Sequence, residues 1–246
     1  MAKTDSLQAD KGLLETALAQ KDQIALEALL GKRRSADVAE LLETFIDDDD
    51  DEATALALLE TLSFERGGNV FSYLQDETQQ RLAAGMADKR LVKLLEEMGS
   101  DERADFFNLV GEDRREALLR RMARHEREEV LLLASYEEGT AGALMTADYV
   151  AIPAGLSVSQ AMMRVRQTAP DAETVYQIYI LDGDGRLIGT LSLRQLMVAR
   201  PGAAVDDLMI RDVIHTQVDA EQEDVAKLVA RYDLLAVPVV DNSERL

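Results

Sequence analysis

Apolar residues in the first 150 positions recur at helical spacing. Val38, Leu41, Leu42, Phe45 and Ile46 follow the i, i+3, i+4, i+7, i+8 pattern of one buried stripe, which predicts a helix with Ser35 capping its first turn. Leu91, Leu94, Leu95 and Met98 repeat the pattern. Leu-Leu pairs recur at 29–30, 41–42, 58–59, 94–95, 118–119 and 131–132, separated by short polar joints that contain Gly31, Gly67, Gly68, Gly85, Gly99 and Gly111. Helices this short are not stable alone, so they are expected to stack and cover one another's apolar faces. The spacing of the pairs is irregular, which predicts a solenoid-like all-α domain and no named repeat.

The pattern changes beyond Tyr149. All four prolines lie at or after Pro153. Val175 to Leu181 alternates β-branched and aromatic residues, Asp182-Gly-Asp-Gly185 reads as a turn, and Arg186 to Ser192 reads as the returning strand of a hairpin. Helical spacing at Val158–Arg166 and at Leu193–Ala199 completes a β-α-β-β-α unit. A second copy follows: Leu208-Met209 answers Leu144-Met145, Val225–Val229 answers the helix around Ala161, and Val239-Val-Asp241 answers Ile180-Leu-Asp182. Asp182 to Arg186-Leu187 and Asp241 to Arg245-Leu246 keep one interval. The strand that follows in the first copy has no counterpart in the second, which predicts a truncated repeat whose last residues are poorly ordered or borrow a neighbouring strand. The expected boundaries are 1–134 for the helical domain, 135–203 for the first α/β copy and 204–246 for the second, with Gly139–Ala143 as a joint.

Composition narrows the function classes. The 246 residues are 47% hydrophobic and 30% charged, enough for two modest cores. Absence of cysteine excludes thiol nucleophiles, thiolate zinc sites and iron–sulfur clusters, and suits a reducing compartment. Two histidines, His125 and His215, give little material for triads or imidazole metal sites. A net charge of −20 opposes phosphate backbones, so no nucleic-acid partner is expected, and cations suit the chain better. The longest apolar runs fall far short of the roughly 18 residues that cross a bilayer, and the N-terminus lacks an apolar segment of signal-peptide length, so the cytosol is expected.

The paired units, with Leu144-Met-Thr146 at their opening and Gly189-x-x-Ser192 closing a hairpin, resemble tandem CBS domains. The stretches Ser135–Val150, Ala169–Thr174 and Tyr232–Asp241 extend the resemblance to the cytosolic part of the MgtE family of magnesium transporters, densely from about residue 90 and more loosely before it. The resemblance implies an acidic helical domain and a CBS pair that sense Mg²⁺ on the cytoplasmic face of the membrane and gate a transmembrane domain lying outside this sequence. It also implies a homodimer formed through the CBS domains. The family's Mg²⁺ ligands between the two domains fall at Asp101 and Asp105 and, on the CBS side, at Glu221, Glu223 and Asp233.

Mg²⁺ keeps most of its water and takes one or two carboxylates per site, so surface acids can assemble a sensor. Two carboxylates about 6 Å apart repel by roughly 3 kcal/mol at an effective dielectric near 20, and a divalent ion between them reverses the sign. Asp101 and Asp105 are neighbours at i and i+4; the bland alternative is that Asp101 favours a helix N-terminus and Asp105 is solvated. The run Asp47–Asp51 with Glu52 is expected to be a solvated interhelical loop. Asp182–Gly185 is not a calcium loop, because Arg186 stands at the third ligand position and Leu193 at the twelfth. CBS pairs that bind adenosine nucleotides hold the ribose with an aspartate at the position of Gln195, and an aromatic can stack on adenine where Gln177 stands. Both differences predict weak nucleotide binding, and neither Tyr176 nor Tyr179 obviously replaces the aromatic. The alternative function is a soluble CBS adaptor that binds an adenine nucleotide and regulates a partner enzyme. No nucleophile arrangement is recognisable, so no enzymatic activity is expected.

Overall fold

The computed structural model describes residues 2–49 and 51–246. The chain divides into two compact units between Val130 and Leu131. The first is all helix: α1 (Ala2–Ala19), α2 (Gln23–Leu30), α3 (Ser35–Asp49), α4 (Glu52–Thr61), α5 (Phe64–Ser72), α6 (Asp76–Gly85), α7 (Asp88–Leu95), α8 (Ser100–Leu109), α9 (Glu112–Leu119) and α10 (Arg124–Leu133), the last crossing the division. The stripe on α3 is buried as its spacing predicts, and Ser35 is the first residue of the helix.

From α4 onward the array is regular, which corrects the expectation of an irregular spacing. Helices start at residues 52, 64, 76, 88, 100, 112 and 124, twelve apart. The seventh and eighth positions of the first six of these units form a buried pair: Leu58-Leu59, Val70-Phe71, Leu82-Ala83, Leu94-Leu95, Phe106-Phe107 and Leu118-Leu119. Helix n packs on helix n+2, so α4, α6 and α8 make one layer and α5, α7 and α9 the other.

Side chains at fixed positions close these short helices. At the fourth position, Gln79 Nε2 donates to the carbonyls of Phe71 and Leu74 (3.0 and 3.2 Å), buried Arg103 donates to Met98 O (3.4 Å), and Arg115 donates to Phe107 O and Val110 O (2.7 and 3.4 Å). Each donates to carbonyls at the end of the preceding helix or in the joint just beyond it, where helical partners run out. At the third position, Arg66, Arg90 and Arg114, 24 residues apart, reach three helices back to Leu30 O and Gly31 O, to Glu60 O, and to Ala83 O and Met86 O.

The acidic run is not a loop. Helix α3 continues to Asp49, and Asp51 is the N-cap of α4, its Oδ1 accepting from Thr54 N at 3.0 Å. The bond to Thr54 holds the Asp51 carboxyl below its ordinary pKa. Asp50, and the side chains of Asp48 and Asp49, lie outside the described residues.

The second unit contains α11 (Ala141–Leu144), β1 (Ala151–Pro153), α12 (Val158–Thr168), β2 (Gln177–Leu181), β3 (Leu187–Ser192), α13 (Leu193–Val198), β4 (Thr216–Gln217), α14 (Gln222–Tyr232) and β5 (Val239–Val240). Strands β1 and β2 pair in parallel with α12 as the crossover, and β2 and β3 form the expected antiparallel hairpin with Ile180 opposite Gly189. Val150, Ile152, Ala161, Val165, Ile178, Ile180 and Leu191 fill the core. Gly189 has no space for a side chain: a Cβ there would meet Met209 Sδ at 2.5 Å. The second copy pairs β4 with β5 in parallel around α14, none of whose residues is fully buried.

Backbone bonds tie the two copies together. Val205 N donates to Leu156 O, while Ala141 N and Gly142 N donate to Ala220 O and Val218 O. The Gly139–Ala143 stretch is therefore integrated into the second unit and is not a joint. The two turns mirror each other: Asp182 Oδ1 accepts from Asp184 N and Arg186 N, and Asp241 Oδ1 from Ser243 N and Arg245 N. They pair through a bridge between Arg186 and Arg245, so the last residues do lie along a neighbouring segment, with Leu187 N bonded to Glu244 O. Gly185 has φ of 82°, the left-handed backbone such a turn needs.

Candidate functional sites

Asp101 and Asp105 lie on α8, Asp101 half-buried in the first turn and Asp105 exposed one turn on. The twelve-residue register separates their roles. Almost every helix of the array carries an acid in its first turn, among them Glu52, Glu65, Asp76, Asp88 and Glu112, as the positive end of the helix dipole favours. Asp101 is one member of that series. Asp105 stands at the sixth position, which holds Ala57, Asn69, Arg81, Lys93, Ala117 and Glu129 in the other units, so no structural rule of the array asks for an acid there.

Glu221 is the N-cap residue of α14, Glu223 sits in its first turn, and Asp233 is its C-cap. All three are exposed. Eleven helical residues separate the ends, about 16 Å at 1.5 Å per residue, so Asp233 cannot share one small ion with Glu221 or Glu223. Asp233 is oddly placed on two counts. Its backbone is left-handed (φ 52°, ψ 47°), and its carboxylate lies at the negative end of the helix dipole. A cation beside it offsets the second cost. The donors at all five positions are hard oxygens, the type Mg²⁺ takes. Among the described residues, no three acids or histidines of the structure converge in ligating geometry. Elsewhere in the helical unit, burial and then the facing Glu126 carboxylate push the Glu96 carboxyl up, and Glu126 Oε2 is buried without a hydrogen-bond partner.

A second feature is an apolar cleft of about 480 Å³ lined by Tyr176, Gln177, Ser192, Leu193, Arg194, Met197, Val198 and Leu235. Tyr176 is 66% exposed at its wall, whereas Tyr179 is buried with its ring edge-to-face against Tyr149. An aromatic face is therefore available one residue before the expected position, on the strand's approach. Gln195 does not line the cleft. Its Oε1 accepts from Ser192 N and Ser192 Oγ (2.9 and 2.8 Å), and its N–H donates back to Ser192 Oγ, forming a capping box on α13. The spacing Ser-x-x-Gln, repeated at Ser157 and Gln160, carried that signal in the sequence. His215 Nδ1 donates to Val213 O at 2.9 Å, with Nε2 3.4 Å from Glu244, and among the described residues neither histidine joins a ligand set.

A family model described as the MgtE intracellular N domain matches residues 33–139, and the CBS domain model matches 141–202 and 205–246. The chain is 49% identical over 120 residues to the magnesium transporter MgtE of Thermus thermophilus, covering 49% of this chain and 27% of that protein. It is 34% identical over 152 residues to the magnesium transporter MgtE of Bacillus subtilis, covering 62% of this chain and 34% of that one. The matches thus span about a third or less of those relatives. Among solved structures, the cytosolic domain of the Mg²⁺ channel MgtE in complex with ATP superposes with a TM-score of 0.86 at 36% identity, over 96% of this chain and 94% of that one. The soluble part of a magnesium transporter also gives 0.86, at 28% identity over 98% and 93%. No helix among the described residues is long and apolar enough to cross a membrane.

Proposed function

Because the chain belongs to the MgtE family, in which both its helical unit and its CBS domains find their counterparts, we propose that it is the Mg²⁺-sensing cytosolic region of a magnesium transporter or channel. In this reading it is no enzyme; it regulates a transmembrane domain from the cytoplasmic face and dimerises through its CBS domains. The observation that carries the reading is the acid at Asp105, at a position whose residue type varies across the array, together with Asp233, which its helix disfavours. Charge supports it. The helical unit holds 30 acidic against 18 basic residues, net −12, and the CBS unit 17 against 9, net −8. Two net-negative bodies repel without metal.

Asp101 and Asp105 of the helical unit supply hard oxygens on one side, and the CBS unit supplies two separate ligand sets, Glu221 with Glu223 and Asp233 alone. Carboxylates brought together by a shared divalent ion replace repulsion with bridging contacts, and a form that alone holds the ions is stabilised by linkage. High cytosolic Mg²⁺ then favours the closed, shut state. Small-angle scattering tests this: millimolar Mg²⁺ should compact the chain, monovalent salt at equal ionic strength should not, and Asp101→Ala with Asp105→Ala should blunt the change. Equal dimensions with and without Mg²⁺ would count against the sensor.

The cleft favours a second, compatible reading. It is apolar, offers the face of Tyr176, and has Arg194 in its lining, an arrangement suited to a nucleotide. ATP belongs to the solved relative; in this chain its binding is expected to be weak, because Gln195 spends its acceptor on the capping box.

A further inference from the structure

At the third position of α5, α7 and α9, an arginine reaches three helices back. Arg90 shows how that position treats a facing acid. It donates to Glu60 O at 2.9 Å and pairs with the Glu60 carboxylate at 3.0 Å, Glu60 standing 30 residues earlier at the ninth position of its unit. The same interval and the same two positions return in Glu96, ninth in the α7 unit, and Glu126, third in α10, but here a second acid replaces the cation. Two carboxylates occupy the register of an ion pair.

Their surroundings do not neutralise them. Glu126 Oε2 is buried with no hydrogen-bond partner. Arg103 of α8 acts on Glu96, yet it donates to Met98 O at 3.4 Å and leaves its Nε unpaired, while Lys93 Nζ lies over the Phe64 ring, 5.4 Å from its centre. Glu97, next in the chain, adds negative charge, and among the described residues α5 and α9, which also pack on α7, add none that acts on Glu96. Partial burial first, and Glu126 second, push the Glu96 carboxyl up. The helix dipoles separate the two roles. Glu96 is the C-cap of α7, where negative charge is disfavoured, and Glu126 lies in the first turn of α10, where it is favoured. A buried acceptor without a partner is satisfied when the carboxyl facing it keeps its proton.

We propose that Glu96 and Glu126 share one proton and form a pH-sensitive tie between α7 and α10. A proton taken from solvent resides on Glu96, whose O–H donates to Glu126 Oε2; when it leaves, two like charges face each other and the tie turns into repulsion. Its contribution is present below the ordinary glutamate value and is lost as pH rises through the raised one.

Carboxyl-carbon NMR of the whole chain in EDTA follows the pair directly. Glu96 should titrate above the ordinary glutamate value, about 4.3, and Glu126→Gln should lower it. Glu96→Gln, whose amide supplies the donor at every pH, should raise the melting temperature by about 2–4 °C near pH ~8 and leave it unchanged near pH ~4. Glu126→Arg, which restores the ion pair of Arg90 and Glu60, should also raise it near pH ~8. An unchanged Glu96 titration in Glu126→Gln overturns the shared proton. So does an equal gain from Glu96→Gln at both pH values, the mark of a general surface effect. If Mg²⁺ lowers the Glu96 titration in a chain carrying Asp101→Asn and Asp105→Asn, the pair holds a cation in place of the proton and the inference falls.

Discussion

The two units close their elements by different means. In the helical array, helix ends are satisfied by side chains such as Gln79, Arg103 and Arg114, which reach across to a neighbour's carbonyls. In the CBS unit, distant segments are joined backbone to backbone, as at Val205 N with Leu156 O and Leu187 N with Glu244 O. Side-chain ties can be cut one at a time. Backbone ties depend on register and are lost together when the core that sets the register loosens.

The largest test of that contrast is Ile180→Ala. Ile180 is fully buried on β2 opposite Gly189, and its truncation should cost about 2–5 kcal/mol and unfold the CBS unit as one transition in urea. Gln79→Leu should cost less, about 1–3 kcal/mol, by removing the side-chain donor to the Leu74 carbonyl and leaving Phe71 O with backbone donors alone. Hydrogen exchange should speed up only in α5, α6 and their immediate neighbours; an effect spread over the whole array would break the contrast. Smaller again is the difference between the two α8 acids. Asp101→Asn should lower metal-free stability by about 0.3–1 kcal/mol through the helix dipole, whereas Asp105→Asn should remove the larger share of any Mg²⁺-dependent rise in melting temperature.

The smallest effect is a pair of opposed pH dependences. Asp182 and Asp241 are held below the ordinary carboxylate range by backbone N–H donors, chiefly Arg186 and Arg245. Their contribution is present above the unfolded value, about 3.9, and is lost as pH falls through the lower folded one. Glu43 runs the other way: burial pushes its carboxyl up even though Gln75 N donates to it at 2.6 Å. Its contribution is present below the ordinary glutamate value and lost as pH rises through the raised one. Asp182→Asn with Asp241→Asn should therefore flatten the acid limb of a melting-temperature profile, and Glu43→Gln should flatten the decline on the side approaching neutrality.

Much of this architecture was legible in the residues. The stripe from Val38 to Ile46, the hairpin around Asp182–Gly185 and the second copy ending at Arg245 were all visible as patterns, because burial and turn geometry constrain residue type directly. The twelve-residue period was hidden because burial asks for volume and not identity. The pair that reads Leu-Leu at 94–95 is Val-Phe at 70–71 and Phe-Phe at 106–107, and Leu131-Leu132, which looks like a member, is 51% and 54% exposed. In α10 only the first member of the repeating pair, Val130, is buried. At the candidate sites, the family resemblance pointed to Asp105 and Asp233, but only the helix register and the left-handed backbone set them apart from ordinary surface acids. The role of Gln195 lay in the Ser-x-x-Gln spacing, which a reading of that position as a ribose contact passes over.

The alternation of layers in the helical array fixes a grammar for length change. Because each helix rests on the one two places away, and Arg66, Arg90 and Arg114 recur at 24 residues, inserting or deleting twelve residues would exchange the layers and send every later arginine to the wrong carbonyls. A change of twenty-four would carry each helix onto an equivalent neighbour. Growth and shrinkage of such an array should therefore come in helix pairs, and a single-helix gain should survive only at its ends.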